Sequence, residues 1–294
     1  MMIARQWSEM SCPICRGASR RQWTIASYDV RECRSCGHQY VADDLTESHV
    51  EAVYGDDYFY GGGAGYPDYT AEAELLVSAG HRTAALLRDY GCSGRLLDVG
   101  CAAGFLLKGL VEQGWDGVGI EPNESMVQYA NNQLSLTVDR STLEAYHVDD
   151  QFDVVTMIQV IGHLHDVRAA FHRMAKLTKP GGHCLVEYWD RDSAIARLAG
   201  RHWHEYSPPS VLRWFGDLDL DALYSAFGFT RIASGTPKKY IGLAHAKSLL
   251  QYRLASMQLP TFGRLGLALV PDNGHIRYPA LDLRWALFRK NDAR

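Results

Sequence analysis

Residues 95–104, Arg-Leu-Leu-Asp-Val-Gly-Cys-Ala-Ala-Gly, constrain the fold of this chain more than any other stretch. Leu96, Leu97 and Val99 form a short apolar run that reads as a buried strand. Asp98 interrupts the run near its end. Gly100, Ala102 and Gly104 then turn the chain into an amphipathic segment, Phe105 to Val111. A strand, a tight turn of small residues and a helix form the nucleotide-binding corner of open α/β sheets, at the carboxyl end of the first strand.

The alternation continues. A helix is expected from Glu72 to Tyr90 before the corner, with Leu75, Leu76, Ala79, Leu86 and Leu87 at helical spacing. After it come a strand over Gly117–Ile120 ending at Glu121, a helix from Glu124 to Asn132, and strands from Leu134 to Val138 and from Phe152 to Val160. Asp166 is placed to cap a helix whose stripe is Val167, Ala170, Phe171, Met174 and Leu177. Lys179-Pro-Gly-Gly stops that helix, and His183 to Trp189 is a fifth strand. A helix from Asp219 to Phe227, capped by Gly228, leads to a strand from Phe229 to Ala233. A helical stretch from Leu243 to Met257 and an antiparallel strand from Asp282 to Arg289 complete the pattern. The expectation is an α/β, Rossmann-like, mainly parallel seven-stranded sheet with helices on both faces.

Ahead of it stand Cys12-Pro-Ile-Cys15 and Cys33-Arg-Ser-Cys36, 17 residues apart. Two thiolates two residues apart can face one pocket, and two such pairs give zinc a closed tetrahedron with no open position. Such a zinc is structural, standing in for a core that about 40 residues cannot build. The expected organisation is a zinc ribbon over 1–42, an aromatic and glycine-rich connector or lid over 43–71, and the main domain over 72–294. The connector holds Tyr54, Tyr58, Phe59, Tyr60, Tyr66 and Tyr69 around a glycine run. Its rings either cover a site or dock the connector on the main domain.

Bulk properties exclude several classes. A net charge of −4 gives no support to an electrostatic grip on nucleic acid. The first forty residues, with six arginines against three acids, are only mildly basic. No stretch approaches the roughly 18 apolar residues needed to span a bilayer. Met1 to Met10 lacks a signal-peptide core, so a cytoplasmic, reducing setting is expected.

The nucleotide is narrowed by what is missing. A dinucleotide fingerprint starting at Gly100 would place its last glycine where Phe105 stands. Asp98-x-Gly100-x-Ala102-x-Gly104, followed by Glu121 and Lys179-Pro-Gly-Gly, resembles instead the class I S-adenosylmethionine-dependent methyltransferases. With the paired Cys-x-x-Cys motifs, Tyr58-Phe59, Gly65-Tyr66, Asp68-Tyr69, the Trp203–Phe229 run and Lys239-Tyr240-Ile241, the chain is similar to bacterial members with an N-terminal zinc ribbon. Those members work on sugars, polysaccharides or natural products.

The resemblance implies that Glu121 takes both ribose hydroxyls of the donor and that Asp98 lies near its ammonium. Gly100, Ala102, Gly104, Phe105, Pro122, Thr142, Leu143 and Gln159 would complete the donor site. Ala102 departs from the family's glycine, and Gly162-His163 replaces its usual Glu-His. His163 is then a candidate general base, with His204 a second. Tyr58, Tyr66, Tyr188, Trp203 and Tyr206 are candidate walls of an acceptor pocket. The expected cofactors are S-adenosylmethionine and structural Zn2+, and the expected partner is a small-molecule acceptor, with no membrane and no nucleic acid. Two other readings stay open: an RNA methyltransferase gripping nucleic acid with its ribbon, and a zinc-ribbon interaction protein that has lost donor binding. The intact Asp98, Gly100, Gly104 and Glu121 weigh against the latter.

Overall fold

Leu96 and Leu97 are fully buried in a central strand, as their unbroken apolar run requires. The computed structural model describes residues 11–42, 53–61, 68–248 and 274–292. Its first elements are β1 (Ser19–Ile25), β2 (Tyr28–Cys33), β3 (Gln39–Val41), α1 (Asp56–Tyr60) and α2 (Ala73–Asp89). Then follow β4 (Arg95–Val99), α3 (Phe105–Glu112), β5 (Asp116–Glu121), α4 (Glu124–Leu134), β6 (Thr137–Arg140), β7 (Phe152–Ile158) and α5 (Val167–Leu177). The chain continues through β8 (Thr178–Trp189), α6 (Ala194–Ala199), β9 (Arg213–Trp214), α7 (Asp217–Ala226) and β10 (Phe229–Gly235). It ends in β11 (Tyr240–Gly242), β12 (His275–Arg277) and β13 (Leu283–Lys290). Among the described residues no helix is long and apolar enough to cross a membrane.

Seven strands form one sheet in the order β10-β13-β8-β7-β4-β5-β6. Only β13 runs against the rest, pairing antiparallel with both β8 and β10. The expected sheet is thus the observed one. Strand order reverses between β4 and β7, and that switch point opens a crevice at the carboxyl ends of the strands. All five stripe residues of α5 are buried, and Asp166 accepts hydrogen bonds from the backbone N–H groups of Arg168 and Ala169, both at 3.0 Å.

The differences in detail have local causes. The third strand begins at Thr137, because Leu134 still packs as the last residue of α4 and Ser135 ends that helix in a left-handed turn. Strand β7 stops at Ile158 because Gln159 has φ +59. Lys179-Pro-Gly-Gly ends α5 as expected, yet it belongs to β8. The strand starts at Thr178, and Gly181 (φ +71) lies where the pairing with β7 slips. The helical stretch after Gly242 is described through residue 248; the rest of the expected helix lies outside the described residues.

A second sheet, β1-β2-β3-β9, carries the cysteines. Its fourth strand comes from the main domain: β3 pairs antiparallel with β9 through Gln39↔Trp214 and Tyr40↔Arg213. A core of Val30, Val41, Trp203, Val211, Leu212 and Trp214 spans the joint. His38, fully buried, bonds Asp219 on α7 through Nδ1 at 2.9 Å.

Candidate active site

The turn after β4 takes its shape from small residues. Gly100 and Gly104 have φ +66 and +81, and a Cβ on either would lie 2.7 Å from a side-chain carbon, of Val160 and Leu136 respectively. Ala102 is left-handed too, at φ +49, so the position favours the glycine whose place it takes. The Ala102 N–H donates to Glu121 Oε2 at 3.0 Å, and the Asn123 N–H donates to Oε1 at 3.0 Å. Each carboxylate oxygen therefore keeps a lone pair for a further donor. Asp98, at the end of β4, accepts from Thr156 Oγ1 at 2.7 Å.

Both acids are buried, and among the described residues neither has an ion-pair partner. Burial raises the Asp98 pKa to about 7, with the Thr156 hydrogen bond opposing. Burial also raises Glu121 to about 7; its two backbone donors oppose the shift and the Asp98 charge adds to it. Phe105 is buried between Tyr69 and Tyr129, under the turn rather than beside it. Leu143 is buried as well, while Thr142 Oγ1 accepts from Ala145 N and the Pro122 carbonyl accepts from Arg140.

The described part of the connector docks over this corner. Asn123 Nδ2 donates to the Tyr54 carbonyl at 2.9 Å and to Asp56 Oδ1 at 3.2 Å. Phe59 is buried against Tyr69, and Tyr58 sits edge-on to Tyr54 and Phe59. Tyr66 lies outside the described residues. The Tyr54 hydroxyl donates to the Ser210 carbonyl at 2.5 Å and lies 2.6 Å from His163 Nδ1. Burial, with the charges of Glu121 and Glu205 added, keeps that phenol protonated well above its ordinary range.

His163 ends a 3-10 turn, Ile161–His163, directly after β7. Its Nδ1 lies 2.8 Å from the Ser210 carbonyl, which can only accept, so the contact calls for a proton on Nδ1. His163 faces a cleft lined also by Gln159, Glu187, Trp189, Glu205 and Arg213. The Gln159 amide is fixed at both ends. Nε2 donates to Glu187 and Oε1 accepts from Lys239, each at 2.8 Å. Its left-handed backbone costs roughly 1–2 kcal/mol, held by the strand end and these two bonds.

The other sequence candidates divide differently. His204 is engaged on both nitrogens, by Asp282 at 2.8 Å and Glu205 at 3.2 Å. Burial opposes its charge, but the two carboxylates outweigh burial and raise its pKa. Trp203 is 2% exposed, and its indole N–H donates to Asp282 at 2.8 Å. Tyr206 packs on Trp23 and Trp203 and donates its hydroxyl to Gln39. Tyr188 borders the cleft, yet its hydroxyl donates to Asp217 at 2.6 Å. Sequence reasoning places Glu205 with His204 and Tyr206 as a candidate pocket residue and Tyr54 among the connector rings, but does not single out Glu187 or Lys239 for the site. The crowding of rings in the connector was the one available signal for Tyr54.

The four cysteines come together as expected. Their Sγ atoms lie within 4.8 Å of one another, with individual separations of 3.4 to 3.6 Å. Four thiolates about 2.3 Å from a tetrahedral zinc lie about 3.8 Å apart, so the cluster needs only slight expansion to hold one. Backbone N–H groups of Ile14, Gly17 and Ser35 point at Cys12, Cys15 and Cys33 Sγ, each at 3.4 Å. Such donors stabilise thiolates.

Comparison with known proteins agrees with this geometry. A family model described as "Methyltransferase domain" matches residues 71–234. The ubiquinone biosynthesis O-methyltransferase of Alkalilimnicola ehrlichii is 32% identical over 158 residues, 46% of this chain and 64% of the relative. The enzyme of the same name from Rhodopseudomonas palustris is 29% identical over 128 residues, 41% of this chain and 50% of the relative. The chain thus spans less than two thirds of either relative. A solved SAM-dependent methyltransferase from Thermotoga maritima, titled a possible histamine N-methyltransferase, aligns with a TM-score of 0.51 at 18% identity. That alignment covers 76% of this chain and 93% of the other, a likeness of fold.

Proposed function

Because the chain belongs to the methyltransferase-domain family, we propose that it carries a methyl group from S-adenosylmethionine to a hydroxyl of a small molecule, of sugar, nucleotide-sugar or natural-product type. The observation that carries the acceptor half of this reading is the state of His163. Its Nδ1 is bound to the Ser210 carbonyl, which leaves Nε2 for an acceptor, and the residue lines a cleft at the end of β7, the strand beside β4. A relative named for O-methylation supports oxygen as the nucleophile.

When bound, the donor supplies a methyl on a positively charged sulfur, open to in-line displacement. The chain's part is to hold and align. Glu121 offers one remaining lone pair on each oxygen to the two ribose hydroxyls, and Asp98 faces the donor's ammonium. The small residues of the turn let backbone N–H groups come close, with Pro122, Thr142, Leu143 and Gln159 around them. Holding the reacting atoms about 3 Å apart contributes most of the rate. His163 Nε2 takes the acceptor proton as the oxygen attacks, a step worth about 10²–10⁴-fold. Tyr54, pinned to the same carbonyl, holds the ring from the lid side. His204, with both nitrogens bound to carboxylates, serves better as a structural cation than as a base. Cys12, Cys15, Cys33 and Cys36 hold structural zinc in this reading. The cleft is lined by both signs of charge in Glu187, Glu205 and Arg213, which suits a polar, hydroxyl-bearing acceptor.

The test is a panel of hydroxylated acceptors assayed for S-adenosylhomocysteine release, beside calorimetry with S-adenosylmethionine. Donor binding with turnover on at least one sugar or phenolic acceptor is expected. Absence of donor binding would sink the reading.

A further inference from the structure

We propose that the cysteine-bearing sheet positions His163, through Arg213 on its fourth strand. The proposal rests on the reading of His163 as the base, and it concerns what holds that base in place.

The connections run outward from the cysteines in unbroken steps. Cys33 closes β2 and Cys36 precedes β3, so the cluster fixes both strands at one end. Strand β3 pairs with β9, and the Val41 N–H donates to the Leu212 carbonyl at 2.8 Å. Strand β9 then grips the chain on both sides of His163. The Leu212 N–H donates to the Gly162 carbonyl at 2.8 Å, just before the histidine. The Arg213 guanidinium donates to the Leu164 carbonyl at 2.9 Å and the His165 carbonyl at 2.5 Å, just after it. The Ser210 carbonyl, three residues before Arg213, fixes the imidazole tautomer. Residues 210–213 therefore set both the backbone and the ring of His163.

Arg213 is an unusual choice if stability alone were needed. It is 8% exposed and, among the described residues, has no ion-pair partner. Burial lowers its pKa, and the charges of Asp166 and Glu144 offset that only in part, so the position carries a desolvation cost. Its planar fork does supply two donors at fixed spacing to two successive carbonyls, which lysine would match poorly. The ribbon is also tied down elsewhere, so it cannot swing free of β9. The Tyr206 hydroxyl donates to Gln39, and Arg168 on α5 donates to the Ile14 carbonyl at 3.1 Å. None of these bonds touches Asp98 or Glu121. Loosening the ribbon should therefore disturb the base and leave the donor acids in place.

The experiment follows the ring nitrogens of His163 by ¹⁵N NMR in the full chain, with the signal assigned through His163→Gln. The native protein should show a single Nδ1–H tautomer. Arg213→Met, and separately removal of the cysteine-bound metal by a chelator with release quantified, should each give a mixed tautomer signal. Turnover should fall about tenfold or more, while S-adenosylmethionine affinity stays within about threefold. Arg213→Lys should recover part of both losses. If Arg213→Met fails to fold, Tyr206→Phe removes a single ribbon contact and should give the same change in smaller measure. His163 ring signals unchanged in both the chelated and the substituted protein would overturn the proposal. Signals that shift while turnover holds would support the linkage and refute His163 as the base.

Discussion

The two halves of the cleft are built on opposite plans. On the proposed donor side the Glu121 contacts are short in sequence: it accepts from Asn123 and Ala102, two and nineteen positions away. The acids of that side are buried, among the described residues without an ion-pair partner, and burial is the largest cause of their raised pKa values. On the acceptor side the contacts are long: Tyr54 to His163 spans 109 positions, Lys239 to Gln159 spans 80 and His204 to Asp282 spans 78. There Lys239 and Arg213 donate to carbonyl oxygens and His204 meets two carboxylates. The Glu121 contacts are thus local, whereas Asp98, bonded to Thr156 at a separation of 58 positions, and the surroundings of His163 form only after distant segments have packed.

The sharpest way to break this comparison is His163→Ala. Turnover should drop by about 10²–10⁴-fold while calorimetry finds S-adenosylmethionine affinity changed by less than about threefold. Equal losses in both would mean that the two halves are not separable.

Glu121→Ala should do the converse. It removes a charged acceptor for the ribose and leaves the Ala102 and Asn123 N–H groups unpaired, so donor affinity should fall by about 100-fold. The folded state and the His163 tautomer should persist. An affinity loss under about fivefold would move the ribose contact to another residue.

The smallest effect is that of pH, and it separates the halves by mechanism. Asp98 and Glu121 are raised to about 7, and holding hydroxyls and an ammonium favours their charged forms. Donor binding should therefore expel protons, and affinity should weaken as pH falls below about 7, by up to about tenfold per unit for each acid protonated. Calorimetry at pH 6 in buffers of different ionisation enthalpy reads the released protons. No buffer dependence would mean that the acids are already ionised. In the ligand-free chain the same shifts act on folding with the opposite sign. The folded pKa values lie above the unfolded ones, so these two acids make the chain less stable as pH rises from about 4 to 7.

What was legible in the sequence follows the same division. The sheet, its single antiparallel strand, the α5 stripe and its Asp166 cap could be read because burial on one face imposes a period of two or 3.6 residues. The boundaries at Ser135 and Gln159 could not, because each turns left-handed for a reason found in its neighbours. Trp203 and Tyr206 looked like pocket walls because aromatic residues after a strand end often are. Their partners, Asp282 and Gln39, lie 79 and 167 positions away and hold them in the joint between the sheets.

The sequence by itself determined the strand–turn–helix corner after Asp98, the cysteine cluster and a mainly parallel sheet of seven strands, since each follows from local spacing and pattern. Only the tertiary structure decided the order of the strands, that β9 completes the cysteine-bearing sheet, that both His204 nitrogens meet carboxylates while His163 Nδ1 meets a carbonyl, and that Tyr54 reaches His163. The physical reason is that a hydrogen bond between remote segments leaves no periodic trace along the chain. It depends on where two strands come to lie side by side, and packing settles that.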